Sequence, residues 1–210
     1  QASLALEYVE PSYTEGEFTD YIHQRIPDIP LNVRYSFKNG SHLQAGAVLR
    51  NMYYKDEIKD KDQIVTGWGA SLSGIWQFSE STSFCFQGVC GKGISNYIQD
   101  ISGIGLDLVP SATAEGKLKA SCAWGAYGGF SHKWNEELSS NIMYSYARVE
   151  ERFGMPTTSY KYAQYAAANL FWDFSEYGSC GIEYVFGRRN DFNKDYGNAS
   201  RINTMIQYRF

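Results

Sequence analysis

Ser200-Arg201-Ile202-Asn203-Thr204-Met205-Ile206-Gln207-Tyr208-Arg209-Phe210 is the stretch whose reading decides the fold. Ile202, Thr204, Ile206, Tyr208 and Phe210 share one parity, and Arg201, Asn203, Met205, Gln207 and Arg209 share the other. A period of two is the pattern of a strand with two unlike faces. The last strand of an outer-membrane β-barrel closes the cylinder and sets its aromatics at the bilayer interface. A soluble sandwich that ends in a half-buried strand is the plainer alternative. On the barrel reading, Tyr208 and Phe210 are the expected assembly signal.

Composition points the same way. The chain has 210 residues, enough for one barrel or a sizeable core, with 17 Tyr, 20 Gly and only 5 Pro. A net charge of −4 argues against a nucleic-acid partner, which requires a basic face. Mean hydropathy is −0.41. No uncharged run approaches the roughly 20 apolar residues of a membrane helix. A barrel escapes that criterion, because only alternate residues meet lipid. Gln1 leads almost directly into strand-like sequence with no leader pattern, so the expectation is a mature chain or part of a longer one.

Working back along the chain, alternation predicts about ten strands. Leu4, Leu6 and Tyr8 open the first, and residues 10–28 read as a long loop. Leu31 to Phe37 and Leu43 to Arg50 flank Lys38-Asn39-Gly40-Ser41, whose Asn-Gly pair is a strong hairpin signal. A charged loop is expected from Tyr54 to Asp62, then strands over Gly67–Phe78 and Ser83–Cys90. The longest connection spans residues 91–117. Strands follow near 119–132, 141–146, 166–172 and 182–187, with loops at 149–159 and 190–199 before the final strand.

The connections alternate between long and short, and the short ones resemble one another. Each follows an aromatic: Phe37-Lys38-Asn39, Phe78-Ser79-Glu80, Trp134-Asn135-Glu136 and Phe174-Ser175-Glu176. Two residues earlier stand Tyr35, Trp76, His132 and Trp172. This is a degenerate repeat of one hairpin unit. It puts tight turns and an aromatic ring at one rim and long loops at the other, the asymmetry of short periplasmic turns and long extracellular loops. The fold expected is an all-β, antiparallel transmembrane β-barrel in the bacterial outer membrane, residues 1–210 forming one barrel domain or the C-terminal part of one. Backbone groups in lipid must pair internally, so a spanning sheet has to close.

Trp68 to Gly74, Trp124 to His132, Gly181 to Arg189 and Asn198 to Ile202, together with Arg25-Ile26-Pro27-Asp28, resemble the C-terminal half of the DcaP-like porins. The resemblance covers most of the chain and rests on loose motifs. It implies a homotrimeric outer-membrane channel for dicarboxylates and other small anions, inserted by the barrel-assembly machinery. Members of that family are about twice as long, with roughly sixteen strands. This chain therefore reads either as the C-terminal part of such a barrel or as a smaller closed one.

If the apolar parity faces lipid, the other lines a lumen. Arg34, Arg50, Arg189 and Arg201 lie on it, with Arg209 near the short-turn mouth. Arginines in a pore favour anions. Glu7 and Glu183 share the face, so ion pairs bracing a filled lumen are the competing expectation. Lys92 would add to a constriction if loop 91–117 folds inward. Small residues at Ala126-Gly128 and Ala166-Ala168 mark the expected subunit contact, unless they only relieve crowding. The run Lys55 to Asp62 lacks the spacing and glycine of a calcium loop. Cys85, Cys90, Cys122 and Cys180 have no metal or redox spacing, although Cys90 and Cys122 near one loop base could form a disulfide. His23, His42 and His132 form no triad pattern, so neither catalytic residues nor a metal or cofactor are expected. The function expected is passive diffusion of small hydrophilic solutes, biased toward anions. A non-conducting barrel serving as adhesin or envelope scaffold is the rival, and a soluble barrel with inverted faces a further one.

Overall fold

The computed structural model describes residues 1–150 and 154–210. Among the described residues there are thirteen strands: β1 (Ala2–Leu4), β2 (Thr19–Tyr21), β3 (Ile29–Ser36), β4 (His42–Asp56), β5 (Lys61–Gln77), β6 (Thr82–Lys92), β7 (Leu108–Pro110), β8 (Leu118–Ala120), β9 (Cys122–Lys133), β10 (Leu138–Val149), β11 (Tyr160–Asp173), β12 (Gly178–Asp191) and β13 (Tyr196–Tyr208). Eleven form one antiparallel sheet in the order β1-β3-β4-β5-β6-β9-β10-β11-β12-β13, with β2 beside the far end of β4. β7 and β8 pair separately. β1 and β13 are the edges of the large sheet and do not pair with each other.

Register fixes the two faces. One continuous row runs Trp76, Phe84, Phe130, Ile142, Ala168, Tyr184 and Ile202 across successive strands. Ile202 and Ile206 are 67% and 84% exposed, as a wall turned toward lipid requires. The opposite face is polar or small: Gln44, Ser73, Gln87, Tyr127, Ser145 and Tyr165 share one row. A slip of one residue would exchange every side chain between these faces, so the alternation pins the register.

At the short-turn end the aromatics pack edge to face in pairs, Phe37 with Trp76, His132 with Trp134, Trp172 with Phe174 and Tyr208 with Phe210, with ring centroids 4.5 to 5.8 Å apart. At the other end two predicted loops prove to be short turns. β4 and β5 run on to Asp56 and from Lys61, leaving only residues 57–60 between them. β12 and β13 leave only residues 192–195. Their ends are hydrophilic, so the apolar alternation stops while pairing continues. Opposite charges face each other there, Lys55 against Asp62 and Asp56 against Lys61. Of the predicted loop 149–159, residues 151–153 lie outside the described residues. The predicted loop 10–28 holds only the short β2, and Tyr13 within it bridges to Leu106 and Leu108. Among the described residues no disulfide joins the cysteines, and the register sets Cys90 opposite Trp124 and Cys122 opposite Lys92. The expected Cys90–Cys122 disulfide is therefore corrected.

Candidate functional site

The long connection between β6 and β9 folds onto the polar, concave face. Gly93 (φ +68°) turns the chain inward, and a Cβ there would stand 2.4 Å from Met52 Cε. A left-handed φ beside so close a neighbour is a position only glycine fills at no cost. Two short 3₁₀ turns follow, Ser95–Tyr97 and Gln99–Ile101, and then the β7–β8 hairpin. Ile94, Ile98, Ile101, Leu106 and Val109 are buried against Val48, Ala123, Ala147, Val149 and Tyr160. Leu108 and Leu118 pack on Met52 and Tyr54. Each such aliphatic, once buried, gains about 1.5–3 kcal/mol over exposure. The wall is thinned to receive the loop, and a Cβ on Gly69 would lie 3.0 Å from Ile94 Cγ2.

One ionic cluster locks the loop in place. Arg50 on β4, Asp28 just before β3 and Asp107 in the loop have fully buried side chains. Arg50 Nε donates to Asp28 Oδ2 at 2.8 Å, and its Nη1 donates to the Gly93 carbonyl at 2.7 Å and lies 3.2 Å from Asp107 Oδ1. The guanidinium also faces the Tyr97 ring, 5.2 Å from its centroid. Two carboxylates share one cation, so neutral donors supply the balance. Gln24 Nε2 and the Tyr97 hydroxyl donate to Asp28 at 2.8 and 2.9 Å. Ser95 Oγ and the Ser12 amide donate to Asp107 at 2.8 and 3.0 Å. Burying charge is tolerable only with this degree of satisfaction.

Below the loop the concave face is hollow. A cavity of about 700 Å³ is bordered by Gln87, Tyr97, Asp100, Tyr127, Ser145 and Tyr165. A smaller one of about 240 Å³ lies beside it, between Glu7, Asn32, Ser71 and Tyr97. The lining mixes polar side chains with Val89, Ile98 and Met143 and carries few charges. On the N-terminal segment, whose Glu10 carbonyl accepts from Asn96 of the inward loop at 2.8 Å, burial pushes the Glu10 carboxyl up, but hydrogen bonds from Tyr21, Tyr8, His23 and the Gln24 amide outweigh it and hold its pKa at about 2.

The sequence-predicted residues fall into distinct places. Arg34 and Arg201 project from the concave face, and among the described residues their side chains make no ion pair. Arg189 shares that face but is held by Asp191 at 2.8 Å, over the Tyr160 ring. Glu183 accepts from Asn203 Nδ2 at 2.9 Å. Arg209 borders a hollow of about 330 Å³ with Glu136, Glu137, Asp173 and Glu176, so carboxylates outnumber it at that mouth. Arg50 is corrected from an open pore-lining cation to a buried anchor, because two aspartates and a carbonyl enclose it. Lys92 is corrected too: it stands opposite Trp68, on the outward parity, and does not point into the constriction. Tyr208 and Phe210 are exposed at the short-turn rim. Sequence reasoning missed Asp28, Tyr97 and Asp107. Asp107 alone carried a signal, as a lone carboxylate between Leu106 and Leu108.

A profile of the DcaP outer membrane protein family matches residues 22–210. In three dimensions the chain is similar to the outer membrane channel DcaP of Acinetobacter baumannii, with a TM-score of 0.78, 18% identity, and coverage of 100% of this chain and 58% of that one. An alignment with the NanC porin, at TM-score 0.43 and 12% identity over 95% of this chain and 98% of that one, is too slight to support a common architecture. A search of curated proteins finds no sequence match. With its lipid-facing strands, polar concave face and inward loop, the chain belongs to the DcaP outer membrane protein family and is a β-barrel protein of the outer membrane.

Proposed function

We propose that this wall encloses a passive diffusion channel for small hydrophilic solutes, biased toward anions such as dicarboxylates. The observation that carries the reading is the inward loop. It is fixed to the wall by Arg50, Asp28 and Asp107, and it narrows the concave side while leaving hollows of mixed lining beneath. A loop built to plug the lumen would have filled that space with side chains. Arg34 and Arg201 supply the bias as unpaired cations on the same face. Glu7 and Asp100 moderate it, so the preference is graded and not absolute. At water-like dielectric, one charge about 7 Å from a passing ion contributes roughly 0.6 kcal/mol, a two- to threefold effect on relative permeability.

No covalent step is involved: solutes exchange hydration for the hydroxyl, amide and guanidinium donors of the lining. The whole protein works as a homotrimer, inserted by the barrel-assembly machinery with Tyr208 and Phe210 as its signal. The subunit contact uses the small-residue patch, where Gly128, Ala166 and Ala168 border an apolar hollow of about 530 Å³ on the outward face. The test is flux into liposomes. Small dicarboxylates should enter faster than diamines of similar size, and Arg201→Gln with Arg34→Gln should shrink that ratio several-fold. Equal entry of both solutes through the unmodified protein would contradict the anion bias.

A further inference from the structure

On the outward face of β6 and β9–β13, charge has one sign and one location. The charged residues whose register places them on that face within these strands are Lys92, Arg148 and Arg188, all near the long-loop ends. From there to the short-turn rim the face carries apolar, aromatic or small polar groups. Among the described residues one carboxylate, Glu150, sits just past β10, accepting from Trp124 Nε1 at 2.8 Å and lying 3.0 Å from Arg148 Nε. Against the three cations it leaves the described part of the band net positive.

The cations are embedded in rings. Trp124, Tyr146 and Tyr162 stack in sequence across β9, β10 and β11, with centroids 5.1 and 5.5 Å apart. Arg148 stands opposite both Trp124 and Tyr162, and Arg188 stands opposite Gln164. Arg188 Nε donates to Asn190 Oδ1 at 3.0 Å, and its guanidinium lies 4.4 Å from the Tyr196 ring centroid. That leaves its Nη groups without a hydrogen-bond partner among the described residues. Aromatic residues of this kind sit at headgroup depth. A guanidinium held over a ring on the outward face points away from the lumen and has no solute to meet.

We propose that this surface binds the phosphate-bearing headgroup of a lipid in the leaflet at the long-loop end. Arg188 and Arg148 act as the phosphate ligands, Gln164 and Asn190 as auxiliary donors, and the Trp124–Tyr146–Tyr162 stack as the platform for its sugar or glycerol. Arginine suits the role because its planar fork matches phosphate oxygens in pairs. Lysine at position 92 adds long-range attraction further along the rim. The occupant is a lipid and not a second copy of the chain, since the proposed subunit contact at Gly128, Ala166 and Ala168 lies further toward the short-turn rim, while this positive, aromatic band stands at headgroup depth.

Native mass spectrometry of the detergent-purified protein tests this, with bis-phosphorylated lipid A, its dephosphorylated form and neutral phosphatidylcholine as probes. The unmodified protein should retain lipid A in preference to both other lipids, and the preference should weaken with salt. Arg148→Gln with Arg188→Gln should reduce retention roughly 30-fold, taking each arginine at a lipid surface as about fivefold. Lys133→Gln, which removes one positive charge from the concave face, should leave it unchanged. Equal retention of phosphorylated and dephosphorylated lipid would overturn the proposal. So would dissociation of the assembled protein in the double variant, which would make the patch a subunit contact.

Discussion

Arg50 sits between two buried carboxylates, and that placement dictates what its replacement does. Arg50→Met leaves Asp28 and Asp107 facing each other without a cation, a change that costs about 3–5 kcal/mol when one partner of a buried pair is removed. The inward loop should detach, giving faster protease cleavage within residues 98–106 and larger, noisier single-channel currents. Arg50→Lys keeps the charge but cannot reach Asp28, Asp107 and the Gly93 carbonyl with one fork, so its phenotype should be intermediate. A second residue-scale expectation concerns acid. Glu10 is depressed from 4.5 to about 2 by its tyrosine, histidine and amide donors. A carboxylate with a lowered folded pKa stabilises fully above its unfolded value, and the contribution fades as pH falls from about 4.5 through 2. The segment around Tyr8, Tyr21 and His23 should loosen over that window, as read by proteolysis, and Glu10→Gln should remove the pH step.

Among the elements, the inward loop depends on glycine at its hinge and in its seat. Gly93→Ala meets both a left-handed φ and the Met52 methyl, and Gly69→Val puts branched carbons against Ile94 and Val48. Each should cost about 1–3 kcal/mol by overpacking or strain and raise unitary conductance by displacing the loop. The strand repeat was legible because alternation reports directly on two unlike solvents, lipid and water. It gave the outward row through Ile142, Tyr184 and Ile202, and the turns at Asn39-Gly40 and Ser79–Ser81. It failed where both solvents are water. The ends of β4, β5, β12 and β13 stand beyond the apolar band, so their polar residues read as loops although the backbone stays paired. The Arg50 cluster was illegible for a different reason. Parity assigns a side chain to a face but not to what covers that face, and Asp28 and Asp107 reach Arg50 from 22 and 57 positions away. Lys92 was misplaced because the loop it precedes turns inward one residue later, at Gly93.

At the scale of the molecule, the same sheet presents an apolar belt outward and a more polar, hollowed face inward, and the inward loop occupies the upper part of that hollow. A protein built this way should fold only with detergent or lipid, and should migrate differently on gels before and after heating, as closed barrels do. The measurement that tests the central claim most directly is single-channel recording of the folded protein in planar bilayers, with the reversal potential taken across a salt gradient. Discrete conductance steps with a reversal potential on the anion-selective side are the expected result. Folded, heat-modifiable protein that inserts yet passes no current would contradict the channel, and steps with cation selectivity would contradict the role given to Arg34 and Arg201.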